Sequence, residues 1–515
     1  MRTPFLHILS VFVAMLSVLS LPAQRKDSLA VIVRAAVGRS PALALGRAEI
    51  DAHSAGAFLF SGQPSYTDLE TRFDMRSEQK AFLLQEGDGC FQGVFHVQSI
   101  RRLNARSAVR AGADYVRGVK RNVLWNSTSD FELLCPVVMA DTVGGNLQKE
   151  QYSFFGAYSC RGKHAFCGLQ GSYRALHEFR QVDPRPRNIV SDFKAMFTIG
   201  CPLRKQVLCA NSAVRIYKQS QGVTFFNALG ANTSELHFTG LGSRFARFDG
   251  AGDFTSSRYL GHGFEGAFLL IPAGFRGWTA MLSGSMARVK NHLDLQNEVP
   301  ITELRVRKLE ALAGFRCLDG SIRWSTLFHA ACKVRQNLEN IVGAGRNDEY
   351  PILGSLPMYR SRSVSAGLSG AVELPSRAGA FSVCPAVSYD HSAASYRFPQ
   401  RKMEFDLLRT EIRGGLLRST GKWMLDCGIR LGCTAALPTG VLSVPTEHTD
   451  VRIREMLEYS YGRFTSFRMA YGVDIRVQRD IGRNTSVYCW TACTHRTFKA
   501  GGRTLVLAAA VGLGF

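Results

Sequence analysis

Apolar and polar residues alternate over a long stretch between residues 164 and 180. One face is small or apolar and consists of Ala165, Cys167, Leu169, Gly171, Tyr173, Ala175 and Phe179. The other face is polar and includes Gln170, Ser172, Arg174, Glu178 and Arg180. Successive side chains of a β-strand point to opposite sides, so this pattern predicts a strand with one apolar face. Its length of about 17 residues, against about 5–6 for an ordinary strand, favours a membrane barrel over a soluble sandwich.

The same alternation recurs in pairs of strands that are joined by short turns. The predicted pairs are 153–160 with 164–180, 192–201 with 207–219, 309–317 with 321–335, 363–374 with 380–389, 405–417 with 423–435, and 469–477 with 486–495. Asp319-Gly320 is a strong hairpin signal within this series. Longer polar segments at 120–150, 220–261, 339–360 and 438–464 separate the pairs. We therefore predict an all-β fold, a single-chain transmembrane antiparallel β-barrel of about 16 strands, within a range of 14 to 18.

The last 13 residues, RTLVLAAAVGLGF, predict a further strand. Its apolar face consists of Leu505, Leu507, Ala509, Val511, Leu513 and Phe515. A buried strand of a soluble protein would alternate in the same way. The terminal aromatic resembles the closing strand of bacterial outer-membrane barrels, in which such a residue belongs to the assembly signal. We therefore assign Phe515 as a barrel-assembly signal and expect the barrel-assembly machinery as a partner.

The N-terminus predicts export. Arg2 precedes an apolar run over residues 6–21, and Leu21-Pro22-Ala23 provides a cleavage site, so residues 1–23 are predicted to be a signal peptide. A membrane-anchoring helix is the alternative, but the run is short and Pro22 ends it. Residues 24–62 are predicted to be a periplasmic or plug segment, because RSPALALGRA is similar to an N-terminal stretch of fatty-acid-transporter-type barrels that lies inside the barrel. The barrel itself is predicted over residues 63–515.

Composition and charge limit the classes of partner that the chain could bind. The chain has 515 residues, of which 46% are hydrophobic and 20% charged, and this is too polar for a bundle of membrane helices. The formal net charge is +22. An exported chain rarely meets nucleic acid, so no nucleic acid is expected. A basic barrel suits contacts with anionic lipid head groups or a lumen that admits anions. We expect the cell outer membrane as the location, and outer-membrane lipid and lipopolysaccharide as partners.

The placement of the 13 cysteines indicates a packing role, because Cys167, Cys332, Cys427 and Cys433 fall on apolar stripes. Cross-strand disulfides between Cys160 and Cys167 and between Cys201 and Cys209 stay open, since each pair flanks a tight turn. No CxxC pair or His/Cys cluster has zinc spacing, so we expect no metal and no cofactor. The motifs GxSxG and HExxH are absent, and we expect no catalytic residue.

Several loop-rich segments resemble an uncharacterised outer-membrane β-barrel family, a domain of unknown function found in Bacteroidetes-type bacteria. These segments are LQEGDG at 84–89, RNVLWNSTSDFELLCPVVMADTVGG at 121–145, GSYRALHEFRQVDPRPRNIVSD at 171–192 and GLGSRFARFDG at 240–250. The prolines of DPRPRN predict a rigid loop that presents Arg185 and Arg187. The resemblance implies the barrel and its compartment. It implies no activity, so no functional residue is carried over.

These observations predict a non-enzymatic channel or transporter for an unidentified solute or amphipathic cargo. The lumen-facing candidates are Arg174, Glu178, Arg180, Lys194, Arg323, Lys333 and Arg335. A plugged lumen would favour a hydrophobic or amphipathic cargo. The alternative is an envelope structural or assembly protein that acts through its extracellular loops. An outer-membrane hydrolase is a third hypothesis, which a His within reach of a Ser or Asp would support.

Overall fold

Long antiparallel strands form most of the computed structural model. It describes residues 40–60, 65–226, 235–245, 256–293, 298–318, 321–345, 350–376, 379–482 and 485–515. The predicted signal peptide and the Asp319-Gly320 turn lie outside these residues.

The strands are β1 (Tyr66–Glu78), β2 (Gly89–Arg102), β3 (Ser107–Val123), β4 (Val138–Ala140), β5 (Gly145–Arg161), β6 (Phe166–Phe179), β7 (Arg185–Leu203), β8 (Gln206–Thr224), β9 (Leu236–Gly240), β10 (Ser243–Arg244), β11 (Ser256–Pro272), β12 (Arg276–Leu293), β13 (Val299–Cys317), β14 (Arg323–Val342), β15 (Ile352–Ser376), β16 (Gly379–Tyr396), β17 (Arg401–Thr420), β18 (Trp423–Ala436), β19 (Val441–Ser443), β20 (Arg468–Asp480), β21 (Ser486–Phe498) and β22 (Arg503–Gly514).

The helices are α1 (Pro41–Ala44), α2 (Arg47–Ala52), α3 (Phe131–Leu134) and α4 (Val451–Thr465), with short 3₁₀ helices at Ala57–Phe60 and Leu84–Glu86. None of the helices in the described residues is long and apolar enough to cross a membrane.

Eighteen strands form a closed antiparallel barrel, because β22 pairs with β1 as well as with β21. β19 lies outside this ring and pairs with β17. β4, β9 and β10 form a separate three-stranded sheet. The prediction of a barrel is confirmed. The central count of 16 strands is two too low, and 18 is the upper limit of the predicted range.

The two faces of β22 show how the alternating pattern builds the wall. Phe515 lies on the outside and is 51% exposed, whereas Thr504 and Ala510 on the other face are buried. The outer face of the barrel is apolar on every side, with exposed residues such as Leu169, Phe268 and Ile429 that are 60–66% exposed. A soluble protein would bury such a belt. The apolar residues therefore face outward and the polar ones line the lumen, as in a membrane barrel.

The two ends of the barrel differ in the length of their connections. At the end where β1 starts and β22 finishes, which we call the turn end, all connections have two to five residues. At the opposite end, which we call the loop end, the connections have up to 31 residues. The four long polar segments predicted from the sequence all lie at the loop end.

The structure differs from the sequence-based expectations at the DPRPRN segment and at the two candidate disulfides. DPRPRN is not a loop throughout, since β7 begins at Arg185, and Pro186 pairs with Val223 of β8. Neither candidate disulfide is formed. The Sγ atoms of Cys160 and Cys167 are 3.2 Å apart and unbonded. Cys201 pairs with Leu208 rather than with Cys209, so the two sulfurs point to opposite sides of the sheet.

Candidate functional site in the lumen

Residues 40–60, which we call the N-terminal plug, lie inside the barrel at the turn end. Ile50 and Ala57 pack in one buried cluster with wall residues of β6, β8 and β11–β14. Phe58 and Leu59 pack with Ile100, Ala108 and Ala157 on β2, β3 and β5. Ala42 reaches Ala371 on β15. The segment thus spans the lumen from one side of the wall to the other.

Polar contacts fix the N-terminal plug to the wall. Ser40 caps α1 through its Oγ, which accepts from the Leu43 N–H at 3.2 Å. The Ser40 hydroxyl also donates to Glu373 Oε1 at 2.6 Å, and the Ala42 N–H donates to the same oxygen at 3.1 Å. The Ala55 N–H donates to Thr198 Oγ1 at 2.8 Å. Glu373 is 2% exposed, so its carboxylate depends on these donors.

Charged groups add to this attachment. His53 Nε2 lies 3.5 Å from Glu310 Oε2 and 3.8 Å from Glu265 Oε1. The hydrogen bond with Glu310 raises the pKa of His53 above its ordinary value, against the opposing effect of burial. Asp51 lies 3.6 Å from Arg110 on the wall and 3.7 Å from Arg47 in the plug. Water or ions can replace these charged partners of the N-terminal plug.

The loop end is closed by a second assembly, which we call the loop plug. It consists of residues 125–141, residues 236–245 and α4. Phe131, Leu134 and Phe238 belong to a buried cluster that also contains wall residues of β6–β8, β11–β13 and β17. On the other side, the Tyr459 hydroxyl of α4 donates to the Ala81 carbonyl at 2.6 Å. The loop plug thus contacts the wall at β6–β8, β11–β13 and β17, and also the connection between β1 and β2.

Ion pairs anchor the loop plug. Arg174 donates to both oxygens of Asp130 at 2.9 and 2.6 Å, and the Tyr217 hydroxyl donates to Asp130 at 3.0 Å. Burial alone would raise the pKa of Asp130, but the Arg174 guanidinium holds it below its ordinary value. Arg180 pairs with Asp141 at 3.0 Å, and both side chains are nearly inaccessible.

A cavity of about 420 Å³, lined by both apolar and charged side chains, lies between the levels of the two plugs on the β5–β12 side. Asp192 binds Arg215 at 2.7 Å and Arg174 at 3.2 Å, so this carboxylate links the wall to the loop plug. Lys194 pairs with Glu265 at 3.0 Å, and Glu265 is also the neighbour of His53. Ion pairs from both plugs therefore converge on this cavity.

A second cavity of about 400 Å³ lies on the opposite side and is more basic. Arg409 pairs with Asp390 at 2.9 Å. Arg468 stacks on Phe82, with 5.1 Å from its Cζ to the ring centre, donates to the Phe464 carbonyl at 3.3 Å, and forms no ion pair with a carboxylate of the described residues. The Arg496 side chain forms neither an ion pair nor a hydrogen bond with a described residue. Two guanidinium groups of this cavity thus have no ion-pair partner among the described residues.

The structure places the seven predicted lumen residues on the inner face of the wall, but in different surroundings. Arg174, Glu178, Arg180 and Arg335 all contact the loop plug: Glu178 accepts from Ser129 at 3.2 Å, and Arg335 donates to the carbonyls of Glu132 and Cys135.

The other three predicted residues lie apart from this group. Lys194 faces the first cavity, and Lys333 makes no ion pair or hydrogen bond with a described residue. Arg323 lies near the turn end, opposite Glu373.

Sequence reasoning missed the groups that hold the plugs in place. His53, Thr198 and Glu373 carry the N-terminal attachment, and Asp130 carries the loop attachment. Thr198 and Glu373 lie on polar strand faces that the alternation does reveal. Nothing in the pattern indicates that they bind the N-terminal segment.

Two His–Asp pairs bear on the hydrolase hypothesis. His96 Nδ1 lies 2.5 Å from Asp114 in the lumen, and His391 Nδ1 lies 2.8 Å from Asp406 on the outer face. Within the described part of the chain, neither histidine contacts a serine, threonine or cysteine through its second nitrogen. Both pairs meet the criterion given for the hydrolase hypothesis, because each has a histidine oriented by a carboxylate, but no nucleophile among the described residues lies beside either histidine.

Comparison with known proteins gives one family and several solved barrels. Residues 54–515 match the model of a family described as "Family of unknown function (DUF6850)". No curated protein matches the chain.

Among solved structures, the chain is similar to the outer membrane transporter YddB from Escherichia coli, with 6% identity, 88% of this chain and 81% of that chain covered, and a TM-score of 0.41. It is also similar to a mutant of the ferric enterobactin receptor PfeA from Pseudomonas aeruginosa, with 8% identity, 88% and 81% covered, and a TM-score of 0.38. The alcaligin outer membrane receptor FauA from Bordetella pertussis shares 10% identity, with 86% and 75% covered and a TM-score of 0.32. With TM-scores below 0.5, none of these likenesses assigns a function to the chain.

Proposed function

Since the chain belongs to the DUF6850 family of unknown function, we propose its function from its own geometry. It is an outer-membrane transporter whose lumen is closed at both ends at rest and opens when the N-terminal plug and the loop plug are displaced. The cargo is a solute or an amphipathic molecule that crosses the polar lumen.

The closure of one lumen by two separable plugs carries this proposal. A purely structural barrel has no need of cavities between its plugs, or of charged groups that face them. Both plugs pack on the wall through apolar clusters and are also attached through hydrogen bonds and ion pairs. The polar contacts can exchange with water at small net cost because each is worth only about 0.5–3 kcal/mol. The arrangement favours a lumen that can open over a lumen that stays filled.

The outer membrane as the location is supported by the outer face. The strands of the ring have 12 to 25 residues, an even number of them closes the ring, and the belt outside is apolar. Bacterial outer-membrane barrels share these three properties.

Single-channel conductance of the full-length protein in planar lipid bilayers tests the proposal. The wild-type protein should be silent. H53A/T198A/E373A loosens the N-terminal plug, and D130A/R335A loosens the loop plug. Because the plugs act in series, each set alone should give rare openings, and the combination, which we call the opened variant, should conduct stably.

A matched control is H495A/T326A/E404A, which removes the same three residue types as the first set from the outer face. It should stay silent. Each protein must first show the heat-dependent gel mobility of a folded barrel. A wild-type protein that conducts steadily would instead be an open pore. A folded opened variant without conductance would favour the envelope structural or assembly protein.

A further inference from the structure

A basic patch lies on the outer face of the barrel near the loop end, on strands β11, β12, β13 and β15. Its members are His262, Arg288, Lys290, Arg305, Arg307, Arg360 and Arg362, and we call it the outer basic patch. All seven side chains point outward, as the apolar belt does. Side chains two residues apart on a strand, or directly opposite on paired strands, lie on the same face, and each of the seven is related in this way to an exposed apolar residue.

The patch begins where the apolar belt ends, and the change is abrupt. Along β12 the outward residue changes from Met286, which is 59% exposed, to Arg288 in one step of two residues. On β13 the change is from Leu309, which is 55% exposed, to Arg307. Phe264 is likewise followed by His262 on β11, and Val364 by Arg362 on β15. A border of this kind lies where the acyl chains of a membrane give way to its head groups.

Like charges face each other within the patch. Arg288 of β12 is the direct cross-strand partner of Arg305 on β13. Such pairs destabilise a sheet unless an anion lies between them. Arg305 has Glu303 as an acidic partner. The side chains of Arg288, Lys290, Arg307, Arg360 and Arg362 form no ion pair or hydrogen bond with any described residue.

We propose that the outer basic patch binds the phosphate groups of a phosphorylated lipid in the leaflet at the loop end. Guanidinium groups match phosphate oxygens two at a time, and several of them side by side suit a lipid head group that carries more than one phosphate. The belt below the patch would hold the acyl chains, for which Phe264, Met286 and Leu309 are exposed. This inference rests on the proposed membrane location and not on transport.

Binding of lipid A to the purified full-length protein in neutral detergent tests the inference, with native mass spectrometry as the readout. Lipid A carrying two phosphates is compared with the same lipid after removal of both. The wild-type protein should bind the phosphorylated form. R288Q/R307Q/R362Q should weaken this binding by at least about tenfold, since basic residues near an anionic surface contribute strongly and together. The dephosphorylated lipid should bind weakly and equally to both proteins.

R101Q/R418Q/R479Q is the matched control, because it removes the same charge from exposed residues at the turn end. It should bind lipid A as the wild-type protein does. Equal losses in the two triple variants, unchanged binding in R288Q/R307Q/R362Q, or equal binding of both lipids would each overturn the inference. Thermal unfolding separates misfolding from lost binding, since removal of Arg288 relieves its repulsion with Arg305 and should not lower the unfolding temperature. The conductance experiment does not depend on lipid binding, so a negative lipid-binding result would not contradict the proposed transporter function.

Discussion

Tyr488 on β21 lies directly against Gly512 on β22, so closely that a Cβ atom at position 512 would stand 2.2 Å from Cζ of the Tyr488 ring. The Tyr488 hydroxyl donates to Asp68 at 3.0 Å and to Glu70 at 3.1 Å on β1. Arg476 covers the other face of the ring, with its Cζ 3.5 Å from the ring centre. The seam at which the barrel closes is therefore joined on its inner side by Tyr488, which spans β22, and by Trp490, whose Nε1–H donates to Glu70 at 2.9 Å.

Replacement of Gly512 by alanine should weaken this seam. The added methyl group must displace the Tyr488 ring and its hydrogen bonds to β1, and overpacking of this kind costs about 1–3 kcal/mol. Thermal unfolding, followed by the change in gel mobility, measures the loss. Gly284→Ala is the control, because nothing lies within 4 Å of its added Cβ. An equal change in both variants would contradict the role of Tyr488.

Attachment of the N-terminal plug should depend on pH through His53. The pKa of His53 is raised in the plugged state by Glu310 above its ordinary value of 6.5, so the protonated ring favours the plugged state. This stabilisation is complete below pH 6.5 and is lost as the pH rises through the raised pKa. Cleavage by trypsin after Arg47 in the folded protein should accelerate over that range.

His53→Gln provides the reference for this measurement, since glutamine does not titrate and the protease has its own pH dependence. The ratio of the two cleavage rates should be constant well above the raised pKa and should change as His53 becomes protonated. A ratio that is constant from about pH 5 to about pH 9 would show that His53 does not hold the plug.

Anion preference of the opened variant should depend on the second cavity. Arg468 and Arg496 form no ion pair with any carboxylate in the part of the chain that the structure describes, so R468Q/R496Q should shift the reversal potential in a salt gradient away from anion preference. R413Q/D474N removes a pair joined at 2.9 Å and leaves the net charge unchanged. That control should not shift the potential. If both double variants behave alike, selectivity arises elsewhere in the lumen.

Phe515 should matter more for assembly than for stability. Its N–H donates to the Thr67 carbonyl at 2.9 Å, and its own carbonyl accepts from the Thr67 N–H at 2.6 Å. Phe515→Ala keeps both backbone bonds and removes only the outward ring. The folded fraction in cell membranes should fall several-fold, whereas refolding of the purified chain into detergent should change little. Phe381→Ala removes another ring from the outer face, 49% exposed, and should leave the yield in cells unchanged.

The strands of the barrel wall could be predicted because apolar residues recur at every second position of the sequence, as on β6 and β22. The predicted count was two strands too low, and β1 is one of the strands that give a weak signal. Its inner face alternates the charged residues Asp68, Glu70 and Arg72, while its outer face includes the polar Thr71. A strand without a continuous apolar face is hard to distinguish from a loop.

The plugs could not be predicted in the same way. Ser40 and Glu373 are 333 residues apart in the chain, and only the closure of the barrel brings them within 2.6 Å. Arg174 was predicted to line the lumen on the polar face of its strand, but that pattern cannot show that Asp130 neutralises it. Alternation reports which side of a wall a residue faces. It does not report what stands on that side.

The covalent link between Phe60 at the end of the N-terminal plug and Tyr66 at the start of β1 sets how the opened state behaves. Six residue steps span at most about 20 Å, so a displaced plug stays beside the turn end. A short tether of this kind keeps a released group at an effective concentration of about millimolar at its own binding site. Recapture is then independent of how much protein the membrane holds, and each opening ends by itself unless cargo or a partner occupies the vacated contacts at Thr198 and Glu373.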